Sequence, residues 1–172
     1  MASFIRLIIV LFLIICSPTS IMAKEIKYNR NSMTVSEIRK KVDFKVFTPK
    51  RIPRDWTIET KTYPWGVTEN FTNFRLHYFD RNGAELMVGI KQRKRISSID
   101  DDFHLKGTKQ VDINGHKGYF KEWANSGTYL NGKFIMGGLL FWSQDGTFIT
   151  MDSDNLTDEI MVKIISKINN LI

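Results

Sequence analysis

Residues 137–152 read GGLLFWSQDGTFITMD, and this stretch decides how the rest of the chain folds. Asp145-Gly146 provides a two-residue turn, because a type I′ turn needs a positive φ at both central positions and these two residue types tolerate it. Folding there places four large apolar residues on one face of a hairpin: Leu140, Trp142, Ile149 and Met151. The stretch therefore predicts an antiparallel hairpin, with Trp142 opposite Ile149, whose apolar face is a wall of the core.

Three Asn-Gly pairs predict further hairpins: Asn82-Gly83, Asn114-Gly115 and Asn131-Gly132. A two-residue turn at the first pair places Tyr78 opposite Met87. The second places Asp112 opposite Lys117, which is a favourable cross-strand charge pair. Residues 44–47 are mostly apolar and predict an additional short strand.

Both ends of the domain carry a helix signal. Thr34-Val35-Ser36-Glu37 is a capping box, in which the first and last residues satisfy each other's backbone N–H groups. Near the C terminus, residues 153–155 offer N-cap side chains. Apolar residues then recur at helical spacing: Met161, Ile164, Ile165, Ile168 and Ile172. The order of elements predicts an α+β fold, in which a twisted antiparallel sheet of about six to eight strands, built from hairpins, carries a short N-terminal helix and a C-terminal helix packed on one face.

The first 23 residues have the order of a secretory signal peptide. A short positive start precedes ten consecutive apolar residues from Leu7 to Cys16, and Ile21-Met22-Ala23 ends the segment. We expect cleavage after Ala23, with lipid attachment at Cys16 and retention as an uncleaved anchor as the two alternatives. The expected location is extracytoplasmic, either secreted or membrane-associated through the N-terminal segment. Residues 24–172 then form a single α+β domain that begins with a basic lead-in at 24–33, and this domain lacks cysteine and so any disulfide or thiol site.

The excess positive charge lies between Lys24 and Lys61, here called the basic segment. It holds 11 basic and 5 acidic residues, a net of +6, whereas residues 62–172 hold 13 of each. We expect it to contact an anionic envelope surface or an envelope protein, at about 1 kcal/mol per basic residue near an anionic bilayer. The alternative is a solvated face that only aids solubility. An exported chain rarely meets nucleic acid, so we expect no nucleic-acid partner. The candidate surface-binding residues are Arg39, Lys40, Lys41, Lys50, Arg51 and Arg54.

Residues 64–73 read as a loop rich in aromatic side chains. Aromatic residues exposed on loops often form the rim of a ligand site. Trp65 and Phe71, together with Trp123 in the loop-like stretch 122–129, are therefore candidate ligand-binding residues for an apolar ligand or peptide. The alternative is a loop that folds back and fills the edge of the core.

No stretch carries a known catalytic or cofactor motif. The sequence lacks His-Glu-x-x-His, Gly-x-Ser-x-Gly, a Walker loop and Gly-x-Gly-x-x-Gly. The three histidines are isolated, and His77 shares a strand face with Phe79, which favours a structural role. Asp100 to Asp102 with His104 offer oxygen ligands, but their spacing lacks the calcium-loop pattern. We therefore predict no catalytic residues, no metal and no cofactor.

Several motifs resemble a bacterial extracytoplasmic family of unknown function. The motifs are FTP at 47–49, IP at 52–53, Trp56, INGHKGY at 113–119 and LFWSQDG at 140–146. With the terminal helix, the likeness extends over residues 42–172. Members of that family are often found behind anti-sigma-factor-like membrane segments or in small exported proteins. The resemblance implies a fold and a location, and brings no catalytic residues with it.

Together these observations favour an exported, non-enzymatic binding or sensory module that acts at the bacterial cell envelope. The alternatives are an envelope hydrolase with an unrecognised site, and a structural or assembly protein of the envelope or spore. A cavity with a strongly perturbed carboxylate or histidine would favour the hydrolase, and an apolar cleft without such groups would favour the binder. The sequence leaves the ligand and the oligomeric state open.

The leader gives the first testable prediction. We expect the exported form to begin at Lys24, because Ile21-Met22-Ala23 has the small final residue that signal peptidase requires. N-terminal sequencing of protein from the extracellular and membrane fractions measures the start. A lipid-bearing start at Cys16 would contradict the prediction and support lipid anchoring.

Overall fold

The computed structural model of the protein describes residues 32–49, 52–96, 106–123, 128–130, 132–166 and 168–169. In chain order its elements are α1 (Val35–Arg39), β1 (Thr48–Pro49), β2 (Thr57–Tyr63), β3 (Asn73–Phe79), β4 (Leu86–Lys94), β5 (Lys109–Ile113), β6 (His116–Glu122), β7 (Thr128–Leu130), β8 (Lys133–Ile135), β9 (Gly138–Gln144), β10 (Thr147–Ser153), α2 (Asp158–Ile165) and β11 (Ile168–Asn169). No helix in these ranges is long and apolar enough to cross a membrane.

Seven strands form one antiparallel sheet in the order β2-β3-β4-β10-β9-β6-β5. Two short ribbons, β1 with β11 and β7 with β8, stand beside it. The prediction of an α+β fold with a hairpin-built sheet and a short helix toward each end is confirmed.

The β9–β10 hairpin has the register that the sequence predicts. Trp142 pairs with Ile149 and Leu140 pairs with Met151. The turn residues Asp145 and Gly146 have φ angles of +46° and +79°. All four apolar side chains of the hairpin are at most 2% exposed. Because β10 also pairs with β4, this hairpin lies at the centre of the sheet.

One face of the sheet forms the core, and both helices contribute to it. Val35 and Ile38 of α1, and Met161 and Ile165 of α2, belong to the same buried apolar cluster as Trp142. The α1 helix begins with the predicted capping box at Thr34. Since successive strand residues point to opposite faces, the remaining strand residues lie on the other side of the sheet, here called the outer face.

Residues 44–47 do not form the predicted strand, because their backbone is bound by side chains of the sheet. The buried Gln92 side chain accepts a hydrogen bond from the N–H of Phe47 and donates one to its carbonyl, both at 2.8 Å. The Thr147 hydroxyl donates to the Lys45 carbonyl at 2.7 Å. These contacts satisfy buried backbone groups that would otherwise need a partner strand.

The hairpin at Asn82-Gly83 has the pairing of Phe79 with Leu86 that a two-residue turn predicts, but beyond this pair it departs from the predicted register by one residue. A β-bulge at Tyr78 pairs that residue with Val88 rather than with Met87. The connection is longer than a two-residue turn, since the Asp80 carboxylate accepts the N–H groups of two later loop residues. The shift turns Val88 into the core, where it is 1% exposed.

The other two predicted turns form hairpins. Asp112 pairs with Lys117 across the Asn114-Gly115 turn, as predicted. The chain around Gly132 forms the separate β7–β8 ribbon, in which Tyr129 pairs with Phe134.

The α2 helix begins later than predicted. Its N-cap is Thr157, whose hydroxyl accepts from the third N–H of the helix, and not a residue of 153–155. The reason is that Ser153 is still the last residue of β10, where its hydroxyl donates to the Met87 carbonyl at 2.7 Å.

The apolar stripe predicted for the C-terminal helix is confirmed only in part. Met161 and Ile165 are buried, and Ile164 packs against the core cluster. The helix ends at Ile165, and Ile168 belongs to the backbone of β11, so the helical assignment of Ile168 was wrong. Ile172 lies outside the described residues.

Core packing gives the second prediction. Trp142→Ala should lower the free energy of unfolding by about 3–5 kcal/mol, because it removes the packing of a large aromatic side chain and leaves a cavity. Denaturant unfolding measures the change.

Trp65→Ala is the matched control for this substitution. Its side chain is 68% exposed, so the free energy of unfolding should change by less than about 0.5 kcal/mol. A loss at Trp142 below about 1 kcal/mol would be inconsistent with a packed core position.

Candidate functional site

A groove of about 320 Å³ lies beside β2, which is an outer strand of the sheet. Three parts of the chain line it: the middle of β2, the residues just before α1, and the loop after β2. The lining residues are Ser32, Met33, Glu59, Thr60, Lys61, Thr62, Trp65, Gly66, Val67 and Thr68. Because the lining mixes polar and apolar groups, the groove suits a ligand that has both.

The outer edge of β2 has no strand partner among the described residues. β2 pairs along its seven residues with β3 and, in those ranges, with no other strand. A strand in this position directs a row of backbone N–H and C=O groups away from the sheet. The groove therefore has backbone donors and acceptors along one wall.

Trp65 is the exposed aromatic residue of the groove. The Nζ atom of Lys61 lies 4.6 Å from the centre of its ring. The Tyr63 ring meets it edge-on, with the ring centres 6.4 Å apart. These two contacts position an indole that is still 68% exposed, and an exposed indole offers a ligand both apolar area and an N–H donor.

Thr60 is the unsatisfied polar group of the groove. Its side chain is 8% exposed, and its hydroxyl has no hydrogen-bond partner within the described part of the chain. Its neighbour Thr62 is satisfied, since its hydroxyl donates to the Val67 carbonyl. A buried hydroxyl that makes no hydrogen bond costs free energy. A ligand that hydrogen-bonds to Thr60 would remove this cost.

Two charged side chains, one from β3 and one from β10, meet on the outer face next to the groove. Arg75 of β3 forms an ion pair with Asp152 of β10 by lying across Gly89 of β4. A Cβ atom at Gly89 would overlap the guanidinium group, so glycine is needed for this contact. Burial raises the pKa of Asp152 above its ordinary value, against the lowering effect of Arg75.

His77 lies on the same face, opposite Glu59 of β2. Its Nδ1 atom is 3.9 Å from a Glu59 carboxylate oxygen, and its Nε2 atom is buried with no hydrogen-bond partner among the described residues. Burial lowers the pKa of His77 to about 4, and the positive charges of Arg75 and Lys61 add to this effect. His77 is therefore neutral at pH 7.

The structure brings one of the three ligand candidates, Trp65, to the groove. Phe71 is 5% exposed and belongs to the core cluster, so it does not lie on an exposed rim. This placement agrees with the alternative of a loop that packs back onto the core. Trp123 is half-buried in the other half of the sheet, where its backbone N–H donates to the Gly137 carbonyl at 3.1 Å.

The candidate surface-binding residues of the basic segment differ in exposure. Lys40 and Arg54 are exposed, whereas Arg39 is half-buried with one guanidinium nitrogen enclosed. Lys41 donates to a carbonyl of the groove loop at 2.9 Å. The remaining two candidates, Lys50 and Arg51, lie outside the described residues.

Sequence reasoning missed the groove and the charged cluster next to it. The alternating pattern of Thr57–Tyr63 is typical of a strand, but it does not reveal that this strand is a sheet edge. Arg75 and Asp152 are 77 positions apart, and no local signal connects them.

Within the described ranges, no group of His, Cys, Asp or Glu side chains is arranged to hold a metal ion. The oxygen ligands considered at Asp100 to Asp102, and His104, lie outside those ranges.

The buried histidine gives the third prediction. A lowered folded-state pKa means that the unfolded chain binds more protons than the folded chain between pH 4 and pH 6.5. The contribution of neutral His77 to the free energy of unfolding should therefore be fully present above pH 6.5. It should be lost as the pH drops toward 4, by on the order of 3 kcal/mol for this shift. Free energies of unfolding measured across this pH range test it.

His77→Gln should flatten the acid-dependent slope, and His116→Gln is the matched control that should retain it. If the parent and His77→Gln lose stability equally between pH 6.5 and pH 4, His77 is not the group responsible.

A match to a known protein family covers most of the chain. Residues 46–168 match the family described as Domain of unknown function (DUF4367). The matched range contains the seven-stranded sheet and α2, whereas α1 and the two groove residues before it precede the match. No curated protein and no solved structure matches the chain. Because the match covers well over half of its length, the chain belongs to the DUF4367 family.

Proposed function

We propose that the protein is an exported, non-enzymatic binding module of the bacterial cell envelope whose ligand is an extended peptide. The observation that carries this proposal is the groove beside the outer edge of β2. A peptide that adds to an exposed sheet edge gains affinity from main-chain hydrogen bonds and specificity from alternate side chains. The groove offers both kinds of contact.

The alternation along β2 predicts which peptides bind. Every second side chain of an added strand would lie on the outer face, beside Glu59 and Lys61. Cross-strand pairs of opposite charge are favourable, so the preferred peptide carries a basic residue near Glu59 and an acidic residue two positions away, near Lys61. The intervening side chains would lie beside Thr60 and Thr62, where small or polar groups fit.

Trp65 and Thr60 would add to the affinity in different ways. The exposed indole of Trp65 would cover an apolar side chain of the peptide. The Thr60 hydroxyl would gain a hydrogen-bond partner, which it lacks among the described residues. Both contributions are independent of the main-chain pairing.

The leader and the family resemblance support a location at the envelope. A signal-peptide-like segment precedes the domain, and related bacterial domains are often found behind anti-sigma-factor-like membrane segments. Lys40 and Arg54 of the basic segment are exposed and would favour adhesion to an anionic envelope surface or envelope protein. In this setting peptide capture would serve as a sensory input.

An envelope hydrolase is the second candidate, because the strongly perturbed His77 lies next to the groove residue Glu59. A pKa of about 4 is poorly matched to general base catalysis near neutral pH. No hydroxyl of the described residues hydrogen-bonds to the His77 ring, and a histidine-activated nucleophile needs such contact. These two facts favour the binding module.

A structural or assembly protein is the third candidate. An unpaired edge strand also pairs with a second copy of the same chain. This role predicts association of the protein with itself at concentrations where no peptide is present, which light scattering detects.

Peptide binding is the fourth prediction. Panning of a displayed peptide library against the protein should enrich extended sequences with the predicted alternation of basic and acidic residues. Trp65→Ala should weaken the enriched peptides about tenfold, which corresponds to 1.4 kcal/mol of lost contact. Backbone amide shifts along β2, and tryptophan fluorescence compared between the parent and Trp65→Ala, report the binding site.

Tyr129→Ala is the matched control, since Tyr129 is an equally exposed aromatic residue on the β7–β8 ribbon, at 77%. It should leave peptide affinity unchanged. Equal losses in both variants, or amide shifts confined to the opposite outer strand β5, would exclude the β2 groove as the site.

A further inference from the structure

The sequence of β2 is complementary to itself when the strand is reversed. Its seven residues alternate between the outer face and the core face, and Thr60 is the middle residue. Glu59 and Lys61 stand on either side of Thr60, both on the outer face. Reversing the direction of the strand exchanges the acid and the base, so each charge would meet its opposite in a second copy of the chain.

A two-fold axis through Thr60 produces this pairing. When such an axis relates two identical antiparallel strands, one residue lies opposite its own copy and its neighbours pair crosswise. With Thr60 at the axis, Glu59 lies opposite Lys61 of the second copy, and Lys61 lies opposite the second Glu59. All seven residues of β2 then have a partner, and the core faces of the two sheets lie on the same side.

Charge disfavours the neighbouring two-fold registers. An axis at Glu59 places two carboxylates directly opposite each other, and an axis at Lys61 does the same with two ammonium groups. Like charges directly opposite each other destabilise a sheet, whereas opposite charges stabilise it. The sequence of β2 therefore favours the register that is centred on Thr60.

Glu59 and Lys61 can each contact a further charge. Within the strand, the Lys61 Nζ atom lies 3.4 Å from Oε2 of Glu59, and Nδ1 of His77 lies 3.9 Å from the same oxygen. The other oxygen, Oε1, has no ion pair or hydrogen bond to a described residue. A carboxylate has about four acceptor sites, and a lysine ammonium group has several donors. In the paired strands the four charges would alternate in sign around the axis.

Thr60 supplies an independent observation. Its side chain is 8% exposed, and its hydroxyl has no hydrogen-bond partner in the described part of the chain. The two-fold axis places this residue opposite its own copy, and facing threonines on neighbouring strands share a hydrogen bond. The groove leaves about 320 Å³ of open space beside the middle of β2. The unsatisfied group therefore lies where the self-complementary register has its centre.

We propose that the β2 edge binds a second copy of this chain and forms a two-fold symmetric dimer centred on Thr60. The pairing joins two seven-stranded sheets into one continuous sheet. A two-fold interface uses the same surface on both copies and is therefore closed. Association stops at the dimer, whereas a structural assembly would continue to grow.

The dimer does not depend on the proposed peptide function, although both use the β2 edge. The open side of an edge strand pairs with one strand at a time. A bound peptide would therefore separate the dimer, and the dimer would cover the edge when no peptide is present. A monomer that binds peptides contradicts only the dimer, and a dimer that binds no peptide contradicts only the peptide function.

Sedimentation of the purified exported protein over a range of concentrations tests the dimer. We expect a concentration-dependent change from monomer to dimer, with no larger species. Glu59→Lys should weaken the dimer about tenfold or more, because both cross-strand charge pairs change from attraction to repulsion. Lys61→Glu should weaken it for the same reason.

A mixture of these two variants gives the sharper result. In the mixture, an edge with two basic residues faces an edge with two acidic residues, so both charge pairs are attractive. The variants Glu59→Lys and Lys61→Glu should form a heterodimer at concentrations where neither associates with itself. Because the heterodimer needs two folded partners, it also shows that the single variants have not unfolded. The double variant Glu59→Lys/Lys61→Glu should dimerise as the parent does.

Asp112→Lys is the matched control, since it makes the same charge change at an exposed position of β5, the outer strand at the opposite end of the sheet. It should retain the parent dimer. The proposal is overturned by a dimer that survives Glu59→Lys, or by one that Asp112→Lys abolishes, which would assign the contact to β5. It is also overturned by a protein that stays monomeric while its β2 amides exchange slowly with solvent deuterium, because another part of the same chain would then cover the edge.

Discussion

The pairing of β10 with both β4 and β9 is the interaction on which the rest of the structure depends. Its contact with β9 is local and follows from the Asp145-Gly146 turn. Its contact with β4 joins two groups of three strands, β2-β3-β4 and β9-β6-β5, into one sheet. Small sheets without a covered face are marginally stable in water. The long-range pairing therefore creates a face large enough to cover the apolar sides of both helices.

Polar side chains on the core face of this sheet have defined structural tasks. Gln92 faces Ile149 across the β4–β10 contact and is completely buried. Its amide group binds both backbone groups of Phe47, which fastens the chain between α1 and β1 against the core. A buried amide is tolerated because its hydrogen bonds are made. The Gln92 side chain thus makes the hydrogen bonds to Phe47 that a neighbouring strand would otherwise make. The segment around Phe47 does not add a strand to the sheet, in which β2 is an outer strand.

On the outer face, the same pairing assembles a charged surface from distant parts of the chain. Arg75 and Asp152 belong to strands that are separated by β4. Arg75 reaches Asp152 across β4 because Gly89 has no side chain at the crossing point. The register also aligns Lys61, Arg75 and Lys91, although each belongs to a strand whose own sequence alternates in an ordinary way. The resulting features are an open strand edge, an exposed indole and a line of cations. The open strand edge and the exposed indole are the features on which the proposed peptide binding rests.

Local chemistry in the sequence determined the turns, the capping box and the β9–β10 register, because φ preferences and side-chain alternation act over a few residues. It also predicted the α+β class. It did not reveal that residues 44–47 would bind Gln92 instead of a strand, or that a bulge would turn Val88 inward. The order of the strands, and with it the β2 edge and the alignment of Lys61, Arg75 and Lys91, was decided only by the tertiary structure. Strand order depends on burying one continuous apolar face with contacts between residues far apart in the chain, and no short segment contains that information.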